Sequence, residues 1–221
     1  MATDHSPVEK KLFIAGPLGP LEAKISSSAL AAARPVGIVC HPHPLFQGTM
    51  DNKVVTTAIR AWQALEFSTI RFNFRGVGES AGTYDEGKGE LQDLAAVLAF
   101  ALQAYPNQPL WLAGFSFGAY IAQQGAILHP SIAGLISIAP ALSLLDFTIL
   151  SRPSCPWLIV QGDQDEVTEP SRVAAWYQSA LTQNQTIFQP ELAWVPEAGH
   201  FFHGHLVTLK QLLQDFTKKY L

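Results

Sequence analysis

Residues 110–118 read Leu110-Trp111-Leu112-Ala113-Gly114-Phe115-Ser116-Phe117-Gly118, and this stretch decides the fold. Four apolar residues lead into a pentad whose central serine has a glycine two positions away on each side. That pattern suits a sharp strand-to-helix turn. The serine backbone is forced into a strained conformation, and its Oγ is presented at the strand end. Side chains at the flanking glycine positions would collide with the turn. The next residues, Ala119-Tyr120-Ile121-Ala122-Gln123-Gln124-Gly125-Ala126-Ile127-Leu128, supply the helix. Alone, such a pentad arises by chance. Set between a strand and a helix it is specific, and it marks Ser116 as a nucleophile rather than a buried turn serine.

Outward from the pentad, apolar runs alternate with helical patterns. Val36–Cys40, Leu110–Ala113, Ile132–Ile138 and Trp157–Val160 are short continuous apolar runs, as in parallel strands covered on both faces. Residues 68–74 are rich in β-formers, and Leu192–Val195 reads as the last strand. Helices are expected from a cap at Thr49 or Asp51 to about Leu65, over 89–104, over 170–182 and over 203–219. In the second of these, Leu91, Leu94, Ala95, Leu98, Ala99 and Leu102 fall at helical spacing and define the expected core face. Residues 11–27 read as an antiparallel hairpin turning at Gly16-Pro17-Leu18-Gly19-Pro20. Repeated β-α-β order predicts an α/β fold: a mostly parallel sheet, the N-terminal hairpin at its edge, and helices on both faces. Residues 1–221 are expected to form a single domain, since the stretch 140–156 is too short for a folded lid.

In such sheets ligands bind beyond the carboxyl ends of the strands. His41, His43, Arg75, Ser116, Asp163, Asp165 and His200 all follow strands in this way. A serine hydroxyl needs a base to take its proton, and the base needs an orienting carboxylate. Gln161-Gly162-Asp163-Gln164-Asp165 offers the acid and Glu197-Ala198-Gly199-His200 the base, in the chain order serine, acid, histidine. Asp163, next to the glycine, is a natural turn residue that caps backbone N–H groups.

With these motifs in order, the chain resembles the α/β-hydrolases over about residues 36–220. It is similar in particular to small lidless bacterial hydrolases of the dienelactone-hydrolase-like kind. Phe74-Arg75-Gly76-Val77-Gly78-Glu79-Ser80 and His41-Pro42-His43-Pro44 add to the likeness. The resemblance implies a triad of Ser116, Asp165 and His200, because the acid of similar hydrolases lies three residues after the glycine of its loop. It also implies two backbone donors for a developing oxyanion. Phe117 N–H is one. Many relatives carry His-Gly in the loop after the first parallel strand, where this chain has His41-Pro42-His43-Pro44-Leu45. Proline has no N–H, which leaves His43 or Leu45 as the second. His41 is read as holding that loop by a side-chain hydrogen bond.

Other patterns read more plainly. Gly76-Val77-Gly78-Glu79-Ser80-Ala81 imitates a dinucleotide fingerprint, but the loop residues Gly82–Gly87 follow where a helix should open. Arg75 is expected to pair locally. His203 and His205 are expected to begin the last helix or to lie on its approach. Phe46, Phe115, Phe117, Phe201 and Phe202 flank the site in sequence, as core or as an apolar acyl pocket.

Composition bounds the function classes. Of 221 residues, 48% are hydrophobic and 14% charged, a packed domain rather than a disordered chain. A net charge of −4 leaves no broad basic surface for nucleic acid or an anionic membrane. The N-terminus lacks the apolar core of a signal peptide, and two cysteines, Cys40 and Cys155, read as reduced thiols of a cytoplasmic protein. No cofactor is expected, and the partner is a small acyl substrate; no oligomeric signal is present. The leading expectation is a serine hydrolase of small esters, thioesters or related acyl compounds. A non-catalytic binding protein of the same fold competes with it, as does a metal-dependent hydrolase using His41, His43, His200, His203 and an aspartate.

Overall fold

The computed structural model describes residues 9–28, 34–182 and 188–221. Residues 1–8, read above for a leader, lie outside this range. The chain runs β1 (Lys10–Gly16), β2 (Gly19–Ser26), β3 (Val36–Cys40), α1 (Lys53–Gln63), β4 (Ser68–Phe72), α2 (Lys88–Ala104), β5 (Leu110–Phe115), α3 (Phe117–Leu128), β6 (Ile132–Ile138), β7 (Trp157–Gly162), α4 (Pro170–Thr182), β8 (Glu191–Val195) and α5 (Leu206–Lys218). These form an eight-stranded sheet in the order β1-β2-β4-β3-β5-β6-β7-β8. The β1–β2 and β2–β4 pairs are antiparallel. Every other pair is parallel. The fold is that of an α/β hydrolase, as expected.

Period-two geometry explains the continuous apolar strands. In β5, Leu110 and Leu112 join one core with residues of α2, α3 and α4. Trp111, Ala113 and Phe115 join the other with α1 and α5. Both faces of the strand are covered, so no position is free to be polar. The second layer is tied across by Trp62 of α1, whose Nε1–H donates to Thr217 Oγ1 of α5 at 3.2 Å.

Two local expectations are corrected. The cap of α1 is neither Thr49 nor Asp51 but Asn52, whose Oδ1 accepts from Val54 N–H at 2.8 Å. In α2 the buried face is Glu90, Asp93, Leu94, Val97, Leu98 and Ala101; Ala95, Ala99 and Leu102 face solvent. Hydrophobic spacing misplaced the face because two carboxylates are buried on it. Glu90 accepts the N–H groups of Asp85 and Gly87. Asp93 accepts Arg75 N–H at 2.9 Å and grips the Arg75 guanidinium at 2.8–3.2 Å. Arg75 thus pins the loop after β4 to α2. Gly76 and Gly78, at φ 73° and 56°, make this loop a tight turn, and no helix opens before Lys88.

Candidate active site

The turn between β5 and α3 is built by close approaches of backbone. Ser116 sits at φ 57°, ψ −116°, a strained conformation for any residue with a Cβ. The flanking glycines are required because the backbone of the turn packs against them. A Cβ on Gly114 would lie 2.0 Å from the Gly118 carbonyl oxygen, and one on Gly118 would lie 2.4 Å from that of Cys40. The two positions face each other and the end of β3. Strand, helix and the loop after Cys40 are thereby drawn into contact around Ser116.

The loops after β7 and β8 are stitched to one another. Gly162 allows it, since a Cβ there would lie 2.1 Å from the Ala198 carbonyl oxygen. Gln164 N–H donates to that oxygen at 3.0 Å. Asp163 is the turn residue, accepting Glu197 N–H at 2.7 Å. Glu166 accepts His200 N–H at 3.0 Å. This lattice sets the histidine beside the acid.

The three side chains separated along the sequence then meet. His200 Nε2 lies 3.0 Å from Ser116 Oγ, and His200 Nδ1 lies 2.8 Å from Asp165 Oδ2. All three are buried. The Asp165 carboxylate is filled on both oxygens. Oδ1 accepts Val167 N–H at 2.8 Å and Thr168 N–H at 2.7 Å. Oδ2 accepts Gln161 Nε2–H at 2.7 Å as well as the imidazole. Burial alone pushes this carboxyl up, but the bond to His200 and the two backbone N–H groups outweigh it and hold it below the ordinary carboxylate range. It is therefore ionised at neutral pH, with Nδ1–H of His200 donating and Nε2 left facing the serine.

Gln161 was not singled out from the sequence. It is the next-to-last residue of β7, one past the expected strand, and only the bend of the following loop turns Asp165 back onto it.

The loop after β3 is held by His41. Its Nδ1–H donates to the Pro42 carbonyl at 2.6 Å, and its Nε2 accepts Phe74 N–H at 3.0 Å. Both nitrogens are consumed, as a structural role demands. Desolvation drives this imidazole down to about 4, against an ordinary 6.5. Between those values the unfolded chain binds one more proton than the folded one, so stability rises with pH across the window. We expect His41 to contribute a loss of about 3 kcal/mol on acidification through it. Denaturant unfolding of the native protein and of His41→Gln between pH 7 and 4 checks this. The two curves should converge as pH falls; parallel curves would reject the assignment.

Phe117 follows the serine in the chain, and His43 lines the same cavity as Ser116. Phe117, the first residue of α3, has no intrahelical partner for its N–H. His43 N–H donates to no other group among the described residues. Leu45 N–H is occupied, donating to His43 Nδ1 at 3.2 Å. Of the phenylalanines, Phe46 and Phe201 line the cavity over Ser116, whereas Phe115, Phe117 and Phe202 are core. His203 is exposed and stacks on Phe201, and His205 precedes α5. Among the described residues no three His, Cys, Asp or Glu side chains are grouped to hold a metal ion. Cys40 and Cys155 are buried and unpaired. Burial pushes both thiols up, Cys155 to about 12. No helix of the described residues is long and apolar enough to cross a membrane.

Sequence and structural relatives agree with this architecture. The chain is 41% identical to a lidless α/β serine hydrolase of Xanthomonas campestris, with a TM-score of 0.87 and coverage of 96% of this chain and 95% of that one. It is 45% identical to an α/β serine hydrolase homologue of Coxiella burnetii, with a TM-score of 0.86 and coverage of 93% and 96%. An uncharacterized protein of Rickettsia prowazekii is 33% identical over 210 residues, 93% of this chain and 87% of that one. Residues 49–151 match the family described as serine aminopeptidase, S33, a span that holds Ser116 but ends before Asp165 and His200. The chain belongs to the α/β-hydrolase superfamily and is similar to its small lidless serine hydrolases.

Proposed function

We propose that this protein is a serine hydrolase that cleaves small esters, thioesters or related acyl compounds through an acyl-enzyme. The observation that carries this reading is the continuous chain from Ser116 Oγ through His200 to Asp165, at 3.0 and 2.8 Å. In the proposed reaction His200 Nε2 takes the Ser116 proton as Oγ attacks the carbonyl. Asp165 holds the Nδ1–H tautomer and stabilises the imidazolium. His200 then gives the proton to the leaving group, and water releases the acyl group by the same route. A fluorophosphonate probe is expected to label Ser116 and no other residue; labelling elsewhere, or none, would overturn the reading.

The oxyanion donors in this proposal are Phe117 N–H and His43 N–H, because Leu45 N–H is already bonded. His43 has φ −54°, close to that of proline, so His43→Pro removes the N–H with little change of backbone angle. His43→Ala removes the same ring but keeps the N–H. We expect kcat of the proline variant to lie about 10²–10³-fold below that of the alanine variant. Equal kcat values would exclude His43 as a donor.

A further inference from the structure

We propose that the cleft selects uncharged acyl substrates with apolar substituents, and rejects those bearing a carboxylate beside the reacting ester. This rests on Ser116 as the nucleophile and adds the substrate class.

The cavity over Ser116 has a volume of about 300 Å³, and among the described residues no Asp, Glu, Lys or Arg lines it. Its polar side chains other than Ser116 and His200 are those of His43, Gln47 and Asn52. Asn52 Oδ1 is spent on Val54 N–H, so its amide Nδ2 remains as a neutral donor. His43 is fixed in its neutral form by geometry. Its Nδ1 accepts Leu45 N–H, and its Nε2 lies 3.2 Å from the Tyr84 hydroxyl. Burial further disfavours its protonation. The nearest carboxylates are committed elsewhere. Asp51, beside Asn52, pairs with Lys24 and Arg71. Asp165 lies behind His200, and Glu166 takes the His200 N–H. An anion entering this cleft loses water and meets no Lys or Arg among the described lining residues, a cost that falls on the transition state.

The mouth points to the apolar half of the proposal. Leu45, Phe46, Leu144 and Phe201 are 66%, 69%, 48% and 40% exposed. Three of them, Phe46, Leu144 and Phe201, also line the cavity. Apolar side chains therefore run from the reacting serine out to solvent. A substituent laid on them is removed from water together with them, whether it belongs to the acyl or the alcohol side.

Three butyryl esters of similar size separate charge from polarity: propyl butyrate, butyryl glycolamide and butyryl glycolate. Release of butyrate is followed by pH-stat, corrected for each uncatalysed rate, on protein whose Ser116 is shown to react with a fluorophosphonate. We expect propyl butyrate to be the best substrate. The glycolate should fall on the order of 10²-fold below the glycolamide in kcat/KM, as an unpaired buried charge requires. Gln47 lines the cleft, and its side chain makes no hydrogen bond among the described residues, so Gln47→Arg supplies a cation without breaking one there. That variant should raise the glycolate relative to the glycolamide by about tenfold or more. Equal turnover of glycolate and glycolamide by the native protein would overturn the proposal while leaving the nucleophile intact. Labelled protein that turns over none of the three would also overturn it. Absence of both labelling and turnover would sink the Ser116 reading with it.

Discussion

Ser116→Ala is expected to lower kcat toward a neutral ester by about 10⁵–10⁶-fold, with little change in unfolding midpoint. The two halves of this expectation come from separate parts of the structure. Ser116 Oγ makes one side-chain contact of chemical consequence, to His200 Nε2 at 3.0 Å. Its removal takes away the attacking atom and leaves the proton acceptor with no partner. The backbone at 116 is positioned by Gly114, Gly118 and the bond from Ser116 N–H to the Ile138 carbonyl, all of which survive the substitution. Alanine carries the same Cβ at φ 57° as serine does, so the strain is unaltered. Residual rate should come from the cleft and the N–H groups of Phe117 and His43. Steady-state kinetics beside urea unfolding checks both halves. A loss of tenfold or less in kcat would require another nucleophile.

Asp165→Asn is expected to cost about 10⁴-fold in kcat, again with the protein folded. Oδ1 accepts the N–H groups of Val167 and Thr168, so the asparagine oxygen must occupy that side. Its NH₂ group then replaces Oδ2, where Gln161 Nε2–H and His200 Nδ1–H both donate. Donor faces donor at two contacts. His200 relieves its share by moving the proton to Nε2, which aims an N–H at Ser116 and abolishes the acceptor. The variant tests the tautomer rather than the presence of a carboxylate alone. Imidazole proton resonances of the native and variant proteins would show which nitrogen is protonated. Retention of the Nδ1–H form together with full activity would contradict this account.

The sites of misreading share a physical cause. The face of α2 was displaced because Glu90 and Asp93 are buried by partners, Arg75 and two backbone N–H groups, that no hydrophobic scale registers. Asn52 rather than its neighbours caps α1 because the chain turns through Thr49 and Asp51 before the first helical residue. Leu45 and His43 were equivalent as oxyanion donors until the ring of His43 was seen to take the Leu45 N–H. Each depends on a contact that spacing along the chain does not encode.

The order of strands and helices, the elbow at Gly114–Gly118 and the location of functional residues after strands follow from the amino-acid order alone. Their causes act over a few residues: alternation of side chains, the strain of a tight turn, and the missing Cβ of glycine. Tertiary structure alone decided that Ser116, Asp165 and His200 touch, that Gln161 completes the carboxylate, and that no Asp, Glu, Lys or Arg among the described residues lines the cleft above them. Those contacts join segments separated by as many as 84 residues. Strand register and the packing of facing loops determine them, and both are properties of the assembled sheet.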